Sequence, residues 1–257
     1  MDDWSERFGG IGRLFGTAGL DRLRAARVMV VGIGGVGSWV VEALARSGVG
    51  HLRLVDLDDV CVTNVNRQLH ALDGTIGRPK VHVMAERVHC INPACTVEPV
   101  ADFFTAQNAD ELLTVALDHV VDAIDNAPLK ALLVARSTAL GRPVTTSGGA
   151  GGRRDPSRIM RTDLAASTHD PLLAEVRRIL RREHGFPAAG IPFGVESVFS
   201  TEAPVFPTPD GGICPIREPD SDLRLDCHRG FGTASFVTGA FGLALAGSVV
   251  RRLAGRT

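Results

Sequence analysis

Val28-Met-Val-Val-Gly-Ile-Gly-Gly-Val-Gly37 decides the fold. Val28–Val31 is a short, largely β-branched run, which reads as a buried parallel strand. Gly32 to Gly37 is a turn, and Ser38–Arg46 reads as a helix stopped by Gly48 and Gly50. Strand, glycine turn and helix in this order form the context of a phosphate cradle. Glycine lets the turn bend and lets backbone approach a phosphate, and the helix start presents free N–H groups. Gly32, Gly34, Gly35 and Gly37 are the cradle candidates. His51–Asp56 is the next strand, and Asp56 stands nineteen residues after Gly37. A carboxylate there can accept the ribose hydroxyls of an adenine nucleotide. A nicotinamide-dependent dehydrogenase would carry the same loop and acid, and a tight turn that binds nothing is the bland alternative.

Outward from this stretch, helices alternate with strands. Pro79–Ile91 reads as a helix, Thr96–Val100 as a strand, Ala109–Leu117 as a short helix and His119–Ile124 as a strand. Ala127–Leu140 follows as a helix and Pro143–Ser147 as a fifth strand. The alternation implies an α/β fold, a doubly wound, mainly parallel Rossmann-like sheet. After Ser147 comes a Gly- and Arg-rich loop, GGAGGRRDPSR. Ile159–Leu164 reads as a strand and Pro171–His184 as a helix. Residues 186–230 are proline-rich with short strand-like runs, and an apolar helix of about twenty residues ends the chain. Residues 1–150 read as an ATP-binding half. Residues 151–257 read as an elaboration continuous with the same domain, supplying substrate and dimer contacts.

Composition narrows the class. The chain has 257 residues and a formal net charge of −1, which excludes a strongly basic nucleic-acid wrapper. Only Lys80 and Lys130 are lysines; the other 26 basic residues are arginines. Five cysteines, Cys61, Cys90, Cys95, Cys214 and Cys227, form no Cys-x-x-Cys pair, so no zinc is expected. Reduced thiols and a polar N-terminus fit a cytoplasmic protein. Phe231–Val250 has no charged residue and could span a bilayer by length. Its many Gly, Ala, Ser and Thr residues favour a buried or interfacial helix instead, so membrane association is the minor alternative.

The run Asp56-Leu-Asp58-Asp59 to Asn64-Val-Asn66-Arg67-Gln68 favours ATP over a nicotinamide cofactor. A hydride-transfer enzyme has no evident use for this polar cluster. Gly77-Arg78-Pro79-Lys80 follows, and Asp122-Ala-Ile-Asp125-Asn126 ends the fourth strand. Ligands in open α/β sheets bind beyond the C-terminal ends of strands, so Asp56, Asp125 and the glycine loop are expected in one crevice. Arg67 and Lys80 would neutralise a triphosphate, and Asp125 could hold Mg²⁺ on the phosphates. A solvated surface pair is the bland alternative for each charge. Lys130 reads either as a partner of Asp125 or a phosphate, or as a helix-surface lysine.

GIGGVG, DLDDVxxxNxNRQ, GRPK and DAIDN, in this order and spacing, resemble the ThiF/MoeB/HesA family, relatives of ubiquitin-activating enzymes. The segments RFGGIGRLFG, VTTSGGAGGRRDP, GVESVFSTEAPVFP and RLDCHRGFGTASFVTGAFG resemble its tRNA threonylcarbamoyladenosine dehydratase branch. The resemblance implies ATP-dependent adenylylation of the threonylcarbamoyl carboxylate on tRNA, followed by ring closure with net loss of water. It implies that Asp56 binds ribose, Arg67 and Lys80 bind phosphates, and Asp58, Asn64 and Gln68 position the nucleotide. Asp125 would serve Mg²⁺ or the acyl-phosphate centre. Arg13, with Arg7 as the rival, resembles an arginine that reaches into a neighbouring subunit's site, which implies a homodimer. Carbonyls of Gly148–Gly152 would take a monovalent cation. A sulfur-relay partner would involve Cys227, although a small buried hydrophobe is the plainer reading of that thiol.

Three rivals remain at this point. An activator of a small ubiquitin-like sulfur-carrier protein shares the core chemistry, and the missing zinc pairs oppose it. A nicotinamide-dependent oxidoreductase is opposed by Arg67, Lys80 and Asp125. A non-catalytic binding module leaves the phosphate-binding set unexplained. For tRNA contact the candidates are Arg153, Arg154, Arg158 and Arg161, and a helical set of Arg177, Arg178, Arg181 and Arg182. A solvated helix face is an equal reading of the second set.

Overall fold

The computed structural model describes residues 3–208, 210–215 and 231–255. Its helices are α1 (Trp4–Ala25), α2 (Gly37–Arg46), α3 (Lys80–Ile91), α4 (Ala109–Thr114), α5 (Ala127–Ala139), α6 (Pro171–Glu183) and α7 (Ser235–Ala254). Its strands are β1 (Arg27–Val31), β2 (His51–Val55), β3 (Thr96–Val100), β4 (His119–Asp122), β5 (Val144–Ser147), β6 (Ile159–Asp163), β7 (Glu196–Ser200), β8 (Phe206–Pro207) and β9 (Ile213–Cys214).

Seven strands form one sheet in the order β3-β2-β1-β4-β5-β7-β6. All neighbours run parallel except β6 and β7. The Rossmann-like, mainly parallel sheet is therefore as the sequence implies. The residues after Ser147 extend this sheet, because β7 pairs with β5. Side chains of β1 alternate between two cores, as a period of two requires. Val28 and Val30 join a cluster under α1, α2, α3 and α7. Met29 and Val31 join one under α4, α5 and α6. The strand order reverses beside β1, between β2 and β4, and opens a crevice at the carboxyl ends.

Several boundaries move. The fourth helix stops at Thr114, not Leu117, and the fourth strand at Asp122, not Ile124. The strand-led reading of the sequence contains no α1. That helix is kinked at Gly16, whose φ is 74°. It folds back over the end of α7, where Arg22 Nε donates to the Ala254 carbonyl at 3.1 Å. The terminal helix begins at Ser235 and ends at Ala254, four residues beyond the charge-free stretch. By length and composition it could cross a membrane, yet 61% of its most apolar window is buried in the protein. Its small residues explain the packing. A Cβ on Gly242 would lie 2.6 Å from Val36 O and from Trp39 Cβ of α2.

Candidate functional site

Two glycines of the loop are fixed by geometry. Gly32 has φ +88°, and a Cβ there would meet Ala123 O at 2.8 Å. A Cβ on Gly37 would meet Gly32 O at 1.8 Å, so the turn closes only on glycine. Gly34 is different: the nearest atom to its virtual Cβ is Gln68 Nε2 at 3.8 Å. Its bare backbone faces a cleft of ≈ 1670 Å³ rather than packed protein. That cleft is also lined by Gly32, Gly35, Asp56, Asp58, Asn64, Arg67, Gln68, Lys80 and Asp125. One crevice thus collects nearly every nucleotide-site residue expected from the sequence. Gly37 lies behind it, where it shapes the turn. Arg13 is exposed on α1 and does not line the cleft of its own chain. Its rival Arg7 pairs with Asp3 at 2.7 Å.

Asp56 follows β2 and braces the loop. Its Oδ2 accepts from Ile33 N at 2.6 Å, and its Oδ1 accepts from Asp58 N at 2.8 Å. Burial raises its carboxyl above the usual range, against the pull of nearby Lys80 and these two backbone donors. Lys80 opens α3 with its side chain 6% exposed, and its Nζ bonds Asp58 Oδ2 at 2.7 Å. A buried ammonium at the wall of this cleft suits phosphate oxygens.

The segment between β2 and α3 is held by other elements. Asn64 is buried and accepts from Cys61 N at 3.0 Å. The Arg67 carbonyl accepts from Trp39 Nε1 at 3.2 Å and from Thr238 Oγ1 at 3.1 Å. Asn66 Nδ2 donates to the Thr233 carbonyl at 2.8 Å. The start of α7 therefore fixes Arg67 in place, although some 170 residues separate them in sequence. Gln68 is buried beside Gly34, and its Oε1 has no protein partner.

Two polar groups escape the sequence reading. Lys130 is neither an Asp125 partner nor a surface lysine. It is fully buried, with Nζ at 2.9 Å from Asp122 Oδ2 and 3.1 Å from Thr146 Oγ1. Thr146 Oγ1 donates to the same carboxylate oxygen at 2.6 Å. Full burial raises the Asp122 carboxyl, and Lys130 opposes that rise. The hint is a lysine directly before the apolar run Ala131–Ala135. This buried pair anchors the base of the turn whose tip, Asp125, is exposed in the cleft. His70 is 1% exposed, bonds the Ile33 carbonyl at 2.9 Å and is brought down to about 4 by burial. No spacing in the sequence marks it.

The arginine sets separate. Arg153 is 3% exposed; its Nη2 bonds the His169 carbonyl at 2.8 Å and faces Asp170 at 3.9 Å. It is therefore buried in the wall of the cleft and not on the open surface, and the Asp170 it faces also anchors Gly149 N at 2.9 Å. Arg154, Arg158 and Arg161 are exposed. On α6, Ile179 and Leu180 point inward, Arg178 pairs with Glu175, and Arg182 pairs with Glu183. Cys95 is buried, and desolvation pushes its thiol up to about 12. Cys227 lies outside the described residues.

Among the described residues no three His, Cys, Asp or Glu side chains converge on a metal. Asp125, exposed on the wall of a cleft that also holds Arg67 and Lys80, fits Mg²⁺ bound chiefly by phosphate oxygens and one carboxylate.

Known proteins resemble this chain in sequence and in fold. A tRNA threonylcarbamoyladenosine dehydratase of Haemophilus influenzae is 46% identical over 254 residues, 98% of this chain and 95% of that protein. A crystal structure of the Escherichia coli tRNA N6-threonylcarbamoyladenosine dehydratase, TcdA, in complex with ATP matches with a TM-score of 0.88. Its identity is 42%, over 100% of this chain and 97% of that one. A sulfur carrier protein adenylyltransferase of Thermus thermophilus is more distant, 39% identical over 129 residues, 50% of this chain and 47% of that protein. The ThiF family profile matches residues 10–257, through the glycine loop, the cleft and the terminal helix alike, and the chain belongs to that family.

Proposed function

We propose that this chain is an ATP-dependent tRNA threonylcarbamoyladenosine dehydratase. One observation carries the reading. Asp56, Arg67, Lys80 and Asp125 meet the glycine loop in a single cleft, in a fold that matches an ATP-bound dehydratase over its full length. The substrate carboxylate attacks the α-phosphorus of ATP, forming an acyl-adenylate and releasing pyrophosphate. The amide portion of the threonylcarbamoyl group then attacks the activated carbonyl, loses its proton and displaces AMP. The nucleoside has lost one water, and ATP has become AMP and pyrophosphate.

The protein's part is positioning and charge stabilisation. Asp56 takes the ribose hydroxyls, while Asn64 and Gln68 order the nucleotide and Asp58 sets Lys80. Arg67 and Lys80 take the charge that builds on the phosphates. Mg²⁺, when bound, adds Lewis-acid neutralisation of the same oxygens, with Asp125 as its protein ligand. Residues 1–150 act as the adenylylating half and 151–257 as the substrate and dimer half. Arg13 completes the site of a second copy in a homodimer. Exposed Arg154, Arg158 and Arg161 contact tRNA phosphates, and the Gly148–Gly152 carbonyls seat a monovalent cation. We place the enzyme in the cytoplasm, with a sulfur-relay protein as a candidate partner through Cys227.

Exchange of labelled pyrophosphate into ATP tests the first step. Exchange that requires tRNA carrying N6-threonylcarbamoyladenosine supports the reading. Exchange driven instead by a small protein ending in Gly-Gly would favour the sulfur-carrier activator.

A further inference from the structure

We infer that Phe206 and Phe231 form a stacking platform for the adenine base of the tRNA nucleoside, at the end of the cleft away from Asp56. The inference rests on the dehydratase reading above.

Size is the first argument. A cleft of ≈ 1670 Å³ exceeds the roughly 300–1,000 Å³ of an ordinary ligand site, so it has room for a second large ligand beside a nucleotide. Order along the sheet edge is the second. From β3 towards β7 the cleft wall presents Phe103, then Asp56 after β2, the glycine loop after β1, Asp125 after β4 and Gly148–Gly151 after β5. Ribose on Asp56 and phosphates on the glycine loop direct the base of ATP towards Phe103, on the β3 side. The reacting α-phosphate then faces β4 and β5, where Phe206 and Phe231 stand.

Here, on a wall that also carries Arg153, Asp170 and Glu175, two half-buried phenyl rings stand beside Pro204. The ring centroids are 5.4 Å apart and the planes inclined by 48°. A planar base stacked on one ring would meet the edge of the other. Single-stranded nucleosides are held in this way, on aromatic faces that tolerate any base.

The platform is built into the fold. A Cβ on Gly151 would lie 2.8 Å from Phe231 Cβ, so only glycine admits the ring. Gly152 N donates to Gly232 O at 2.8 Å, and Val205 N donates to Gly152 O at 2.9 Å. Thr233, two residues after Phe231, is bonded to Asn66 beside the phosphate-binding Arg67. The rings are thus tied to the nucleotide side of the cleft through the Asn66 side chain.

The test varies tRNA carrying N6-threonylcarbamoyladenosine at saturating ATP, with Phe206→Leu and Phe231→Leu. Loss of one base–aromatic stack should raise KM for tRNA by about 5- to 150-fold. The ATP dissociation constant, measured by calorimetry, should stay within about twofold, and Phe206→Trp should keep or lower KM. Unchanged KM in both leucine variants would overturn the platform. So would an equal weakening of ATP, which would put the base of ATP on these rings. Melting curves check folding; should Phe231→Leu not fold, the two Phe206 variants carry the test. Absence of any reaction in the unsubstituted protein would overturn the dehydratase reading and this inference with it, which distinguishes the two failures.

Discussion

Lys80 Nζ lies 2.7 Å from Asp58 Oδ2, with the lysine side chain 6% exposed and the carboxylate 58%. The cation is fixed by the fold, while its partner is solvated and screened. Such a half-exposed pair adds about 0–1 kcal/mol to stability, so its chief effect is to aim the ammonium at the cleft. Lys80→Ala should lower AMP formation at least about 100-fold, the usual cost of removing one charge stabiliser from a reacting centre. Its melting temperature should change little. Near-normal turnover would remove Lys80 from the reaction.

The glycine loop separates fold from function. Gly37→Ala places a methyl 1.8 Å from Gly32 O, so both melting temperature and ATP binding should fall. Gly34→Ala meets only Gln68 Nε2 at 3.8 Å. It should keep the melting temperature and weaken ATP binding, read as lost thermal stabilisation by ATP. Equal losses of stability in both variants would contradict the geometry.

The Asp122–Lys130 pair is a buried ion pair and should behave as one. Lys130→Met leaves a carboxylate uncompensated in the core and should cost about 3–5 kcal/mol in urea unfolding. Adding Asp122→Asn should recover much of the loss, because the charge is removed with its partner. A double variant no better than the single one would show that the lysine contributes packing instead.

His70 sets an acid limit. Its ring is brought from 6.5 to about 4 by burial, so the folded state takes up its proton later than the unfolded chain. Above pH 6.5 both forms are neutral and nothing is lost. Between 6.5 and about 4 the unfolded chain gains the proton, so stability falls by roughly 3 kcal/mol and then levels off. Urea unfolding at stepped pH should show a shallower slope for His70→Gln than for the unsubstituted protein. Identical slopes would mean that His70 is not the group responsible.

Sharing of the site between copies has its own test. Arg13→Ala and Lys80→Ala should each be inactive alone, and mixing them should restore part of the activity. No recovery after subunit exchange would keep Arg13 out of the neighbouring site.

The centre of the sheet is legible in the sequence because β1 and β4, the strands beside the crevice, contain short apolar runs followed by a turn. Asp56, Lys80 and Asp125 are legible for the same reason, since each lies beside an element boundary. The remainder depends on contacts remote in sequence. Four glycines between Gly9 and Gly16 hide α1, which exists by packing on α7. Strand β7 hides in a proline-rich stretch because its partners, β5 and β6, come from earlier in the chain. Lys130 and Arg153 are charged, and a charge reads as surface until its buried partner, Asp122 or Asp170, is seen.

The most direct measurement is the mass of the modified nucleoside after incubation of the protein with ATP, Mg²⁺ and tRNA carrying N6-threonylcarbamoyladenosine. A dehydratase should remove one water, dependent on ATP, with one AMP formed per nucleoside converted. An unchanged nucleoside in the presence of bound ATP would contradict the dehydratase reading.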